Sequence, residues 1–255
     1  MTQGTPIHAD LDDEARRLLT EVQRRDLDAR LIGGMAVRIL AGERLHPAYD
    51  RRVQDLDFVL TRKHAREAER LLAEAGYVPE EMFNALNGHR RLLFHDEHHG
   101  RQIDVFVDTF EMCHTLPLAE RLGTRPQTLP AAEVLMTKLQ IVHLNAKDRG
   151  DLYALLHSHE VAEHDDDAVN AARIAELTSN DWGLQRTFEL NLERLREGLG
   201  EQPLEAEDLR ALAQRIDRLA DAMEQAPKSR KWKLRAKVGD RKRWYEEPEE
   251  VDRQG

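Results

Sequence analysis

Apolar residues recur at helical spacing from Asp10 to Leu27, where Leu11, Ala15, Leu18, Leu19 and Val22 form one stripe. A short apolar run, Ala29 to Ile32, stops at Gly33-Gly34, and Met35 to Leu40 then reads as the start of a helix. Gln54 to Leu60 alternates. Asp55, Asp57 and Val59 point one way and Leu56, Phe58 and Leu60 the other, which is a strand pattern. His64 to Ala75 is an amphipathic helix ended by Gly76. Two further strands, His89–Phe94 and Gln102–Val107, flank a polar turn around Asp96 to Gly100 and predict an antiparallel hairpin.

Beyond about Thr115 the strand signals fade. A helix is expected from Pro130, carrying Val134, Leu135, Leu139, Ile141 and Val142, because proline is tolerated at a first helical position. Asp148–His157, Asp165–Leu177, Trp182–Leu199 and Leu204–Met223 are expected as further helices. The pattern predicts an α+β protein with a mixed β-sheet in its N-terminal half and α-helices in its C-terminal half. The expected division is a catalytic αβ domain over 1–115, a helical domain over 116–226 and a tail over 227–255. The tail begins basic and aromatic and ends acidic, from Glu246 to Asp252.

Composition narrows the setting. The chain has 255 residues, 40% of them apolar, enough for a folded core. Its net charge of -10 argues against a body that coats nucleic acid, without excluding local basic patches. A single cysteine, Cys113, permits no internal disulfide and fits a packing role in a reducing compartment. The N-terminus lacks the basic start and apolar run of a signal peptide, and no apolar stretch approaches the roughly 18 residues of a membrane span. A soluble cytoplasmic protein is expected.

The chemistry lies in the order of three features. Gly33-Gly34 lets backbone pass close to phosphate, and the following helix turns its free N–H groups toward an anion. Asp55 and Asp57, two apart on a strand, project together and favour a cation between them. A later strand offers Asp104, with Asp108 as its competitor, as a third carboxylate for a two-metal site. Arg38 and Arg51-Arg52 flank these features as phosphate contacts or solvated arginines. His95, Asp96, His98 and His99 have zinc-ligand chemistry but no cysteine, and they read better as a solvated turn. His157, His159 and His164 are too loosely spaced to form a site.

The segments LIGGMAVRIL, VQDLDFVL and RQIDVFVD resemble the signature of the polymerase-beta-like nucleotidyltransferases. LPAAEVLMTKLQIVHLNAKDRGDLYALL looks like the later motifs of the AbiEii-like branch, the abortive-infection and type IV toxin nucleotidyltransferases. The resemblance covers roughly residues 30 to 157. It implies Mg²⁺ or Mn²⁺ on Asp55, Asp57 and Asp104 and an NTP over Gly33 and Gly34. It also implies a triphosphate contact from Lys138, and a base or side chain oriented by Asp148 or Asp151 near Lys147. Read as residues alone, Lys138 can equally snorkel to solvent and Asp151 can be a capping acid. Met35 departs from the branch, many of whose members have a hydroxyl residue after the glycines. The implied activity is transfer of NMP to an acceptor hydroxyl on RNA such as tRNA, a protein or a small molecule, in a toxin–antitoxin or phage-defence setting. The rival class is a catalytically inactive binding or antitoxin-like partner. The tail from Pro227 to Tyr245 holds nine Lys or Arg against one Asp, interleaved with Trp232, Trp244 and Tyr245. It suits an RNA strand, or a segment packed on the acidic body.

Overall fold

The computed structural model describes residues 7–247. The chain folds as two compact units. The first comprises Met1–Gly42, Arg51–Phe110 and Leu116–Pro130, and the second Glu43–Asp50, Glu111–Thr115 and Ala131–Gly255. Residues 116–130 thus belong with the N-terminal unit. The reason is local: Leu31 N–H donates to the Gln127 carbonyl at 2.9 Å and Leu31 bridges Thr128, which lays this segment along the first strand.

The first unit is built on a five-stranded mixed sheet. Its elements are α1 (Leu11–Arg24), β1 (Ala29–Ile32), α2 (Gly33–Ala41), β2 (Leu56–Leu60), α3 (Ala65–Glu74), β3 (Val78–Pro79), α4 (Glu81–Asn87), β4 (Arg91–Asp96) and β5 (Arg101–Val107). The strand order is β1-β2-β5-β4-β3. β1 runs antiparallel to β2, β2 parallel to β5, and β4 antiparallel to β5, so the expected hairpin is present. Side chains alternate across the sheet. Ala29, Phe58, Leu60 and Val105 share one face, which α1 and α3 cover with Leu18, Val22, Leu71 and Leu72. The Asp10 side chain accepts the Asp13 N–H at 3.0 Å and starts α1. Glu14, fully buried on that helix, takes Arg17 at 2.6 Å and the Tyr77 hydroxyl at 2.5 Å.

Two short strands, β6 (Thr109–Glu111) and β7 (Thr115–Pro117), follow β5. The second unit is mainly helical: α5 (Ala131–Leu139), α6 (Ala146–Ser158), α7 (Ala171–Asn180), α8 (Trp182–Glu197), α9 (Ala206–Gln225) and α10 (Arg230–Ala236), with a parallel pair β8 (Glu160–Ala162) and β9 (Ala168–Asn170). The helix expected to run through Val142 ends at Leu139. Buried Asn191 donates to the Leu139 and Ile141 carbonyls at 2.7 and 2.8 Å, satisfying a helix end that the local sequence leaves open. The helix expected from Asp165 begins at Ala171, because the Asn170 side chain caps it and the residues before it pair as β9.

The tail docks on its own unit. The Trp232 indole donates to Gln185 at 3.1 Å and the Trp244 indole to Thr187 at 3.0 Å, both on α8. Ser229 N–H donates to the Ser179 carbonyl, and Glu246 N–H to that of Cys113. The acidic end expected to Asp252 lies outside the described residues from 248 onward. Among the described residues, no helix is long and apolar enough to cross a membrane.

Candidate functional site

The second sheet face of the first unit carries the polar chemistry. Register sets Ile32 on β1 beside Asp57 on β2, and Asp57 beside Asp104 on β5. Residues paired in register point the same way, so the Asp57 and Asp104 side chains rise together from adjacent parallel strands. Asp55 sits one residue before β2 begins and accepts the Gln102 N–H at 3.2 Å. Asp57 and Asp104 are therefore neighbours on this face, and Asp55 lies two residues ahead of Asp57 at the entrance to β2.

Gly33 ends β1 and opens α2 with a φ of +65°, in the left-handed region. A Cβ there would fall on the Asp57 carboxylate, so the glycine is required twice, by conformation and by close approach. Gly34 is different. A Cβ there would lie 2.7 Å from the Arg51 Nη2, the far end of a flexible side chain. The structure thus brings Arg51 to the first turn of α2, beside the glycine pair.

Asp104 is held on both carboxylate oxygens. Its Oδ1 receives Arg91 Nε at 2.7 Å and Nη2 at 2.6 Å, and its Oδ2 receives Gln102 Nε2 at 2.7 Å. The Arg91 guanidinium lies against the rings of Phe83 and Phe106, 5.6 and 5.3 Å from their centroids. Nothing in the sequence pattern singled out Arg91; its only signal is its place one strand from the Asp104 carboxylate. Among the described residues, no three acidic, histidine or cysteine side chains are gathered as a ready-made metal cluster. Asp108, the competitor, is turned to Arg62, whose N–H it accepts at 2.9 Å and whose Nε lies at 3.2 Å.

Beside these groups lies a cleft of about 480 Å³. Met35 and Arg38 of α2, Arg52 and Gln54 ahead of Asp55, and His99 and Arg101 of the β4–β5 turn line it. Arg38 is partnered by Asp12 at 3.3 Å. The histidine cluster is a folded turn: buried Asp96 takes the His98 and His99 N–H groups, His99 Nδ1 at 2.8 Å and Arg101 at 2.6 Å. Burial pushes the Asp96 carboxyl up, but the hydrogen bonds from Arg101 and His99 outweigh it and hold it below the ordinary range.

In the second unit, Lys138 on α5 contacts Asp148 at 2.9 Å and Asp151 at 3.2 Å, both on α6. The three residues implied by the family resemblance do converge, but as an ion triad in which the lysine charge is matched by two carboxylates. Lys147, next to Asp148, is exposed.

No protein-family profile matches the chain, and no curated protein matches it. Among solved structures the chain is similar to an antigenic nucleotidyltransferase-like protein from Paracoccidioides brasiliensis. The TM-score is 0.41 and the identity 14%, over 88% of this chain and 96% of that one.

Cys113 is buried and its thiol is pushed up by burial, which suits the packing role expected of it. His114 beside it is pushed down to about 4 by burial, with its Nε2 2.8 Å from the Thr187 hydroxyl.

Proposed function

We propose that the chain is a metal-dependent nucleotidyltransferase that moves NMP from an NTP onto an acceptor hydroxyl. The observation that carries this reading is the Gly33 turn, whose backbone passes over an Asp57 carboxylate set in register with Asp104. The donor set fits Mg²⁺ or Mn²⁺: carboxylate oxygens of Asp55 and Asp57 are hard ligands, and such ions bind one or two carboxylates together with substrate phosphates. Asp104 would join them through Oδ2, on giving up the Gln102 amide, or through Oδ1, on giving up Arg91. The bound ion supplies charge neutralisation at the phosphates.

The chain's own residues do the rest. The N–H groups after Gly33 and the Arg51 guanidinium hold the triphosphate. The cleft lined by Arg52 and Gln54 receives the remainder of the substrates next to Asp55. The acceptor oxygen bonds to the α-phosphorus as the bond to the β-phosphate oxygen breaks. Pyrophosphate leaves with the electron pair, and the hydroxyl proton passes to solvent. Positioning is the main contribution. The motif resemblance adds the finer reading of a toxin–antitoxin or phage-defence enzyme, with an antitoxin as protein partner.

One observation favours a second reading, an inactive nucleotide-binding module: both oxygens of Asp104 are already occupied by Arg91 and Gln102. Incubation with each labelled NTP, Mg²⁺ and cell lysate separates the two. Label entering RNA, protein or a small molecule, and lost in Asp57→Asn, supports transfer. NTP binding without any labelled product supports the module, and absence of NTP binding removes both.

A further inference from the structure

The tail presents two faces with opposite tasks. At a helical 100° per residue, Trp232, Arg235 and Ala236 fall on one side of α10, and Arg230, Lys231, Lys233, Leu234 and Lys237 on the other. The first side is turned inward. Trp232 bonds to Gln185, and the Arg235 guanidinium lies 4.6 Å from the Trp182 ring centroid and donates to the Gly239 carbonyl. Trp244 bonds to Thr187 and packs edge-on against Trp182, with centroids 6.0 Å apart. Trp232 and Trp244, two of the three aromatic residues expected to stack on bases, are therefore struts that hold the segment on α8.

The outer side is cationic and open. Arg230, Lys231, Lys233, Lys237, Arg241 and Lys242 are all exposed. None of their side chains has a hydrogen bond or ion pair among the described residues. Leu234 and Val238, 65% and 41% exposed, lie among them. In a chain of net charge -10 this is a concentrated positive surface, held rigid from behind.

We propose that this outer face binds the phosphate backbone of an RNA strand by charge, with no base stacking. A polyanion is the complementary partner, since six unpaired cations repel one another until counter-charge arrives. A bilayer is disfavoured by the same geometry. Interfacial helices insert Trp, Phe or Leu, and here both tryptophans of the tail are committed to α8, leaving Leu234 and Val238 as the outward apolar groups. This inference does not depend on the transfer chemistry, because it is read by binding alone.

The test is titration of the full chain with a labelled, unstructured RNA oligonucleotide at several salt concentrations. With about four to six phosphates engaged, log affinity should fall against log salt with a slope of roughly -3 to -4. Between 50 and 200 mM salt that is a loss of roughly 60- to 250-fold. The variant Lys231→Gln/Lys233→Gln/Lys237→Gln removes side chains without partners, so it should melt like wild type while its slope shrinks by about 2. Trp244→Ala, by contrast, should lower the melting temperature and leave the slope of the folded protein unchanged. Equal RNA affinity and slope in the triple glutamine variant would overturn the assignment. So would saturable binding to phosphatidylserine vesicles without RNA binding, which makes the partner a lipid surface.

Discussion

Asp104→Asn should unsettle the fold far more than Asp57→Asn, although both remove a carboxylate from the same sheet face. The difference is Arg91. Its side chain is 15% exposed and that of Asp104 8%, and two short contacts, 2.7 and 2.6 Å, join them. Removing one partner of a buried pair costs about 3–5 kcal/mol, because the other charge stays desolvated and uncompensated. Water reaches part of Arg91, and asparagine keeps one acceptor, so the lower end, about 3 kcal/mol, is expected. For a chain of this size that corresponds to a fall of about 6–12 °C in Tm. Asp57→Asn keeps one acceptor oxygen and relieves like-charge repulsion with Asp104 across the register, so it should cost less than about 1 kcal/mol.

The assay is denaturant unfolding with hydrogen exchange read at β4 and β5 amides. All three tryptophans, Trp182, Trp232 and Trp244, lie in the second unit, so the amides of the sheet itself are the direct readout. Arg91→Met should show the converse loss, about 3–5 kcal/mol, by leaving Asp104 unpaired. The same variant probes function. If Asp104 joins a metal site through Oδ1, Mg²⁺ at 100 times its Kd should return about 2.7 kcal/mol to Arg91→Met, and less to wild type, where Arg91 competes for that oxygen. An Asp104→Asn protein as stable as Asp57→Asn would refute the reasoning about the ion pair. Equal Mg²⁺ stabilisation of Arg91→Met and wild type would refute Asp104 as a third ligand through Oδ1.

Two further outcomes follow from the same geometry. Gly33→Ala should cost about 1–3 kcal/mol, from the left-handed backbone alone, and weaken NTP binding by displacing Asp57. Gly34→Ala, whose one close contact is the movable end of Arg51, should stay within about 0.5 kcal/mol, and urea midpoints with the two orders reversed would contradict this. His114 gives a pH dependence. Its folded pKa is depressed to about 4, so the unfolded state takes the proton first. Its contribution to stability is whole above about 6.5, the ordinary histidine value, and is lost as pH falls to about 4. Urea midpoints by tryptophan fluorescence should therefore fall over that window, and fall less in His114→Gln; identical pH profiles would exclude His114 as the cause.

The elements with a clean period are legible in the chain alone. The stripe from Ala15 to Val22 gave α1, the alternation from Leu56 to Leu60 gave β2, and the Asp96–Gly100 turn gave the β4–β5 hairpin, because each pattern encodes which side is buried. Order along the chain was also enough to place the glycine turn before the Asp55 and Asp57 strand. What the sequence could not decide was whatever depends on a residue distant along the chain. The end of α5 is set by Asn191, more than fifty residues away. Which glycine is indispensable was decided by where the Asp57 carboxylate came to rest. Asp104 acquired Arg91, Lys138 acquired two acids, and the tail tryptophans acquired α8, each through a contact that no local pattern announces. Periodicity records the face a side chain must bury. The partner that a charge or an indole finds on that face exists only once the strands and helices have packed.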